Sequence, residues 1–237
     1  MPSQKKISEA PKYSIFDIAG PIMVGPSSSH TAGACKLGQI ARALFHGTPE
    51  KVTFILHGSF GKVYTGHATD KALLSGVMKR KTSDERMKES FNHAKQIGLA
   101  FDFKVQDLGE MHHPNTVKII LEKGGRRPMS MIGSSIGGGV VQVVAIDQFS
   151  VSLRGVAGHF KTLVVWHDNR DGIRGPLIAE IERRKIRVHD IQTMRVGESA
   201  LSIINMDGRR LKLNEVLEME KLQGICDIRS LTSLDKQ

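Results

Sequence analysis

The chain has 237 residues, with 34 Lys and Arg against 24 Asp and Glu for a formal charge of +10, 40% apolar residues and 5% aromatics. That length has room for one large domain or two small ones, each with a buried core, and the apolar share excludes a disordered chain. No stretch approaches the roughly 18 uncharged apolar residues of a membrane helix, and the polar start Met1 to Lys12 lacks the apolar segment of a secretory signal, so a cytoplasmic protein away from membranes is expected.

The positive clusters Lys79-Arg80-Lys81, Arg126-Arg127, Arg183-Arg184-Lys185 and Arg209-Arg210 are scattered along the chain. A nucleic-acid stripe gathers its charge on one element among aromatics, so no nucleic-acid partner is expected. The two cysteines, Cys35 and Cys226, belong to no C-x-x-C or Cys/His spacing and read as small buried hydrophobes. An iron–sulfur cluster takes about four thiolates, so this chain is expected to hold neither a cluster nor another metal by itself.

In chain order, the serine run Ser27-Ser28-Ser29 leads into a helix whose apolar residues are Ala34, Leu37, Ile40, Ala41 and Leu44. A β-branched strand is predicted over 52–57 and a helix from near His67 to Lys79. A third helix is predicted to start with Thr82 as N-cap and Glu85 completing a capping box, and to end by Gly98. Strands follow over 101–105, 117–121, 128–132 and 140–146, with Gly137 to Gly139 forming a sharp strand-to-strand connection. The stretch 154–160, carrying Gly155 and Gly158, reads as a linker. Beyond it the order strand, helix, strand, strand, helix, strand fills about 75 residues, a ferredoxin-like arrangement; Pro176 fits the first turn of its first helix, where a missing N–H costs little. The expected class is α/β (α+β), with a mixed α/β domain over 1–153, a linker at 154–160 and a ferredoxin-like βαββαβ domain over 161–237.

Three polar segments stand at element ends. In Gly25-Pro-Ser-Ser-Ser-His-Thr31, hydroxyls, a histidine and free N–H groups gather at the positive end of a helix, which suits an anion. One cap needs one serine, not three followed by His30 and Thr31. In the segment from His57 to Asp70, His67 follows Gly66 and can approach a ligand closely, while Asp70 either favours a helix start or reaches the site. In His112-His113-Pro114-Asn115-Thr116, a Pro-Asn turn competes with a reading in which His113 and Asn115 aim donors into the same cleft. Together these segments suggest a cleft for a small anionic or zwitterionic metabolite.

Gly25-Pro-Ser-Ser-Ser-His-Thr-Ala-Gly33, Gly66-His-Ala-Thr-Asp70, His113-Pro-Asn-Thr116 and Ser135-Ile-Gly-Gly-Gly139, in that order ahead of a ferredoxin-like unit, resemble the beta chains of iron–sulfur-dependent L-serine dehydratases from about Tyr13 to Leu231. The resemblance implies conversion of L-serine to pyruvate and ammonia. It also implies an oxygen-sensitive [4Fe–4S] cluster bound by a separate alpha chain, which becomes the expected partner. Within it His30 is the expected base for the Cα proton, its pKa lowered by the positive helix end. Ser27, Ser28, Ser29, Thr31, His67, Asp70, His113, Asn115 and Thr116 are the expected substrate-binding residues. The C-terminal domain resembles the ACT family of small-molecule sensors through Leu163-Val-Val-Trp-His-Asp-Asn-Arg-Asp-Gly172, implying homodimerisation and an effector loop at Asp168, Asn169 and Gly172; Asp171 stands where that family carries proline. A free-standing amino-acid sensor, dimerised by this domain, is the alternative reading.

Overall fold

The computed structural model describes residues 23–154 and 161–231. A π-helical turn, Ser28–Gly33, leads into helix α1 (Ala34–Leu44). Strand β1 (Lys51–Leu56) is followed by α2 (Gly58–Val63) and α3 (Thr69–Val77). A 3-10 turn (Glu85–Glu89) and α4 (Ser90–Gln96) precede β2 (Ala100–Val105), and β3 (Thr116–Glu122), β4 (Met129–Gly137), β5 (Val140–Ile146) and β6 (Phe149–Arg154) follow. The strands form one six-stranded sheet in the order β2-β1-β3-β4-β5-β6. Only β1 and β2, joined through helices, run parallel.

Leu37, Ile40 and Leu44 of α1 and Leu73, Leu74 and Val77 of α3 are buried with Phe54, Ile119, Leu121, Met131 and Val143 of the strands. Each such side chain contributes roughly 1.5–3 kcal/mol by leaving water. The two helices touch backbone to backbone. A Cβ on Gly76 would stand 2.0 Å from the Cys35 carbonyl oxygen, and one on Gly38 would stand 2.2 Å from that of Leu73. This crossing sets how the serine turn, at the start of α1, lies against His67, at the start of α3.

Several expectations are corrected. The helix cap near residue 82 falls at Asp84, not Thr82: Asp84 Oδ1 accepts from the Arg86 N–H at 3.0 Å. The Arg86 guanidinium also grips this carboxylate, at 2.9 and 2.6 Å, and holds its pKa down to about 2. Asp84 therefore outcompetes a neutral hydroxyl for the position. The strand predicted over 128–132 extends to Gly137, where Gly137, Gly138 and Gly139 all take positive φ and make the expected sharp connection. Helix α2 and strand β6 went unpredicted; the glycines at 58 and 61 mask the first as loop. The expected linker lies outside the described residues apart from Arg154, which ends β6.

The second unit contains β7 (Lys161–Asp168), α5 (Arg174–Arg183), β8 (Arg187–Val196), β9 (Ser199–Asp207), α6 (Leu213–Met219) and β10 (Ile225–Leu231). Its sheet has the order β10-β7-β9-β8 with every pair antiparallel, the ferredoxin-like topology. Because side chains alternate across a strand, Leu163, Val165, Ile204 and Ile228 face the helical side with Leu177, Ile181 and Met219. Val164, Leu201, Ile203 and Leu231 join the core of the first unit instead. Trp166 Nε1 donates to Asp147 Oδ2 at 3.0 Å across this junction. Among the described residues no helix is long and apolar enough to cross a membrane.

Candidate active site

The site grows from the start of α1. Ser27 is extended and caps the turn, its Oγ accepting from the His30 N–H at 3.2 Å while its carbonyl accepts from the Thr31 N–H at 2.8 Å. Gly25, at φ +138°, lets the chain turn where any Cβ would meet Thr31 at 2.5 Å. The His30 ring is thereby held between hydroxyls. Its Nδ1 lies 3.2 Å from Ser29 Oγ and 3.4 Å from Ser27 Oγ, and its Nε2 lies 3.2 Å from Ser59 Oγ. The ring packs edge-on against Phe60, with centroids 5.4 Å apart, and lies 5.1 Å from the His67 ring. Burial, and then repulsion from His67, lower its pKa below the ordinary histidine value. These two causes favour a neutral imidazole able to accept a proton at neutral pH.

His67 is fixed from behind: Thr31 Oγ1 donates to its carbonyl at 3.3 Å, and its Nδ1 lies 3.4 Å from the Val63 carbonyl. The next residue, Ala68, has φ +55°, a left-handed conformation that costs a non-glycine residue about 1 kcal/mol or more. The strain turns the chain sharply into α3 directly beside His67. Asp70 lies buried in the first turn of α3, its Oδ1 accepting from the Lys71 N–H at 2.7 Å, and burial raises its pKa.

The third segment forms its own turn. His113 is exposed, and its Nδ1 accepts from the Asn115 N–H at 3.0 Å. Thr116 is fully buried, with its hydroxyl donating to the His113 carbonyl and 2.6 Å from Ser134 Oγ. The Asn115 carbonyl accepts from the Ser135 N–H at 2.9 Å. The turn meets the site through α2, where the Phe60 N–H donates to the Pro114 carbonyl at 3.3 Å and Gly58, at φ +56°, leaves no space for a Cβ against Pro114. Pro114 thus helps to set the position of Ser59.

The sequence reading gave no role to two polar neighbours, Ser59 and His57. Ser59 touches His30 directly. His57 stands behind it, with Nδ1 3.2 Å from Asp107 Oδ1 and accepting from the Leu108 N–H at 3.1 Å, and its ring lies 6.2 Å from that of His112. Their signal was available, since both His57 and Ser59 sit in a glycine-bearing strand end, but only the fold pairs that strand end with the serine turn. Two buried hydroxyls beside these elements, Ser135 Oγ and Thr69 Oγ1, have no hydrogen-bond partner among the described residues.

On the second unit, Asn169 and Gly172 line a small cavity of about 140 Å³ with Arg170, Arg174 and Arg195. Asn169 Nδ2 donates to the Gly197 carbonyl at 2.8 Å, and Gly172 turns at φ +85°. Asp168 does not line this cavity. Its carboxylate lies 3.3 Å from Arg170 Nη2.

A histidine held by serine hydroxyls at the start of a helix, its pKa lowered by burial, thus lies on a mixed α/β domain joined to a ferredoxin-like one. Residues 14–145 match the family model described as serine dehydratase beta chain. The chain belongs to that family, and is a subunit of a lyase-type serine dehydratase. It is 36% identical over 222 residues to the probable L-serine dehydratase beta chain of Bacillus subtilis, covering 92% of this chain and 97% of that one. It is 42% identical over 161 residues to the L-serine dehydratase beta chain of Peptoniphilus asaccharolyticus, covering 68% of this chain and 71% of the relative. An L-serine dehydratase of Helicobacter pylori is 36% identical over 105 residues, a match that covers 42% of this chain and 21% of that protein. Among solved structures, the ACT domain from a GTP pyrophosphokinase of Chlorobium tepidum aligns with 30% of this chain and 96% of its own, at 9% identity and a TM-score of 0.27.

Proposed function

We propose that this chain is the subunit of an L-serine ammonia-lyase that binds L-serine and removes its Cα proton, working with an alpha chain that carries a [4Fe–4S] cluster. The observation that carries this reading is His30, a neutral imidazole with Ser27, Ser29 and Ser59 hydroxyls at its two ring nitrogens. Proton transfer from Cα to the ring, and return of that proton to the departing Cβ hydroxyl so that it leaves as water, give an aminoacrylate. Tautomerisation and hydrolysis then give pyruvate and ammonia. The serine hydroxyls and the N–H groups of the Ser28–Gly33 turn suit the substrate carboxylate, and His67 closes the other side of the imidazole.

The thiols of this chain do not fit a cluster. Cys35 is fully buried, bonded to the Arg80 carbonyl, and its thiol is pushed up to about 12, while Cys226 is exposed on the other domain. About four-fifths of the Helicobacter enzyme has no counterpart in the aligned residues, which supports a division of the work between two chains. Dimerisation through the ACT-like domain, and an effector at Asn169 and Gly172, belong to the same proposal.

His30→Ala, assayed in the assembled enzyme, lowers kcat by on the order of 10²–10⁴ with cluster content unchanged. Retained kcat with a raised KM makes His30 a binding group and moves the base elsewhere. Pyruvate formation by this chain alone, or a stoichiometric cluster after anaerobic treatment with iron and sulfide, overturns the division between chains.

A further inference from the structure

A cavity of about 540 Å³ lies between the ends of α1 and α3 on the first domain and α6 on the second, and it shares no residue with the His30 cluster or with the loop at Asn169 and Gly172. Its wall from the first domain is cationic. Arg42 stands in the last turn of α1 and Lys79 two residues beyond α3, each suited to the C-terminal end of its own helix. Side by side they oppose one another: Arg42, and then burial, lower the Lys79 pKa, and no carboxylate acts on either group. Among the described residues the Arg42 guanidinium reaches Thr48 Oγ1 at 3.5 Å, and the Lys79 ammonium has no hydrogen bond or ion pair. Its neighbour Arg80 is committed to the Arg86 carbonyl at 3.0 Å, so Lys79 is the member of that basic cluster that lines the cavity. The carboxylate of the cavity, Glu220, is held by Arg229 Nη1 at 3.3 Å and by the Ile228 N–H at 3.2 Å, and leaves both cations uncompensated. The wall from the second domain is apolar: Leu213, Val216 and Leu217 of α6, with Leu213 75% and Leu217 44% exposed.

We propose that this interdomain cavity binds a phosphate monoester with an apolar body, its phosphate on Arg42 and Lys79 and its body against Leu213 and Leu217. Two adjacent cations without a counter-ion call for an anion of matching charge. A phosphate ester carries roughly −1.5 to −2 at neutral pH, and its oxygens accept at once from a guanidinium fork and an ammonium. A carboxylate carries a single charge and leaves one of the two cations uncompensated. Inorganic phosphate satisfies both cations but leaves the two leucines in water. The volume, about 540 Å³, lies within the roughly 300–1,000 Å³ typical of small-molecule sites and exceeds what a phosphate alone fills. Because the walls come from both domains, a bound ester stabilises their packing by linkage.

The full chain is titrated by calorimetry, in a low-salt buffer free of phosphate, with phenyl phosphate, inorganic phosphate, benzoate and phenol. Phenyl phosphate binds saturably, about tenfold or more tighter than benzoate and measurably tighter than inorganic phosphate, and phenol gives no saturable heat. Lys79→Gln, at an exposed position after α3, weakens phenyl phosphate by about tenfold or more. Without ligand its unfolding midpoint equals or exceeds that of the parent, because the repulsion from Arg42 is gone. Leu217→Ser narrows the advantage of phenyl phosphate over inorganic phosphate. His30→Ala binds phenyl phosphate like the parent, and so does Lys95→Gln, which removes an exposed lysine of α4 outside the cavity. The proposal is overturned if phenyl phosphate gives no saturable heat, if benzoate or inorganic phosphate binds as tightly, or if Lys79→Gln binds like the parent chain. Loss of binding in His30→Ala moves the anion to the serine turn, and an equal loss in Lys95→Gln reduces it to general charge attraction; either overturns the proposal. None of these readings depends on turnover, so they stand or fall apart from the assignment of His30 as the base.

Discussion

Replacement of Gly76 by alanine separates two effects of opposite sign. In an isolated helix the change stabilises by about 1 kcal/mol, because alanine is the better helix former. Here the new Cβ would stand 2.0 Å from the Cys35 carbonyl oxygen and 2.9 Å from the Gln39 nitrogen, both backbone atoms of α1 that no rotamer change can move. An ordinary contact requires 3.4 Å or more, so the helices must part by more than 1 Å. Overpacking of this kind costs typically 1–3 kcal/mol, and more where backbone must shift. With the helix preference deducted, a net loss of about 2 kcal/mol is expected, or roughly 4–8 °C in Tm for a domain of this size. Turnover of the assembled enzyme falls as well, since His30 lies in the turn that leads into α1 and His67 lies two residues ahead of α3. Thermal and denaturant unfolding of Gly76→Ala are compared with Gly175→Ala, whose Cβ meets nothing within 4 Å on the exposed side of α5. The control shows no comparable loss: its Cβ meets no neighbour, and the helix preference of alanine is offset by its place directly before Pro176. A Gly76→Ala chain as stable as the parent, or more stable, refutes the close-crossing account.

Other outcomes follow from the site and its supports. His67→Gln removes one of the two causes that lower the His30 pKa, so that pKa rises; because the base works in its neutral form, the acid limb of kcat/KM moves to higher pH, and an unmoved limb disconnects the two rings. Ser59→Ala frees His30 Nε2 from its hydroxyl contact, and kcat changes while the unfolding midpoint does not; the reverse pattern makes Ser59 a structural residue. Asp84→Ala removes the cap and its Arg86 contacts, costing about 1 kcal/mol at neutral pH. The Asp84 carboxyl is depressed in the folded chain to about 2, so its contribution is present above the unfolded value near 3.9 and fades as pH falls towards 2. Urea unfolding at pH 7 and at pH 2.5 reads the difference between the variant and the parent narrowing; a constant difference contradicts the charge-based cap. L-serine bridging both proposed chains tightens their association by linkage, and equal dissociation constants with and without it remove the shared site.

Local pattern alone determined much of this protein. The period of Ala34, Leu37, Ile40, Ala41 and Leu44 specifies the helix Ala34–Leu44, and the six-element order beyond residue 160 specifies a ferredoxin-like sheet, because amphipathic periodicity and chain connectivity are properties of neighbours in sequence. The Ser27–Thr31 run declared itself through an excess of hydroxyls over what one cap requires. Tertiary structure decided the rest. Ser59 meets His30 from 29 residues away, and the two histidines that face each other are separated by 37 positions; no local spacing encodes such a contact. The Asp84 cap prevailed over Thr82 because a guanidinium folds back on it, an electrostatic preference that a capping rule for neutral hydroxyls does not contain. The His30 pKa is lowered by burial and a neighbouring imidazole, which only packing reveals, since desolvation depends on everything packed around the ring. The outer face of the four-stranded sheet, alternating Val164, Trp166, Leu201 and Ile203, reads in sequence only as apolar. That it closes onto the first domain follows from packing between units that the chain order does not specify.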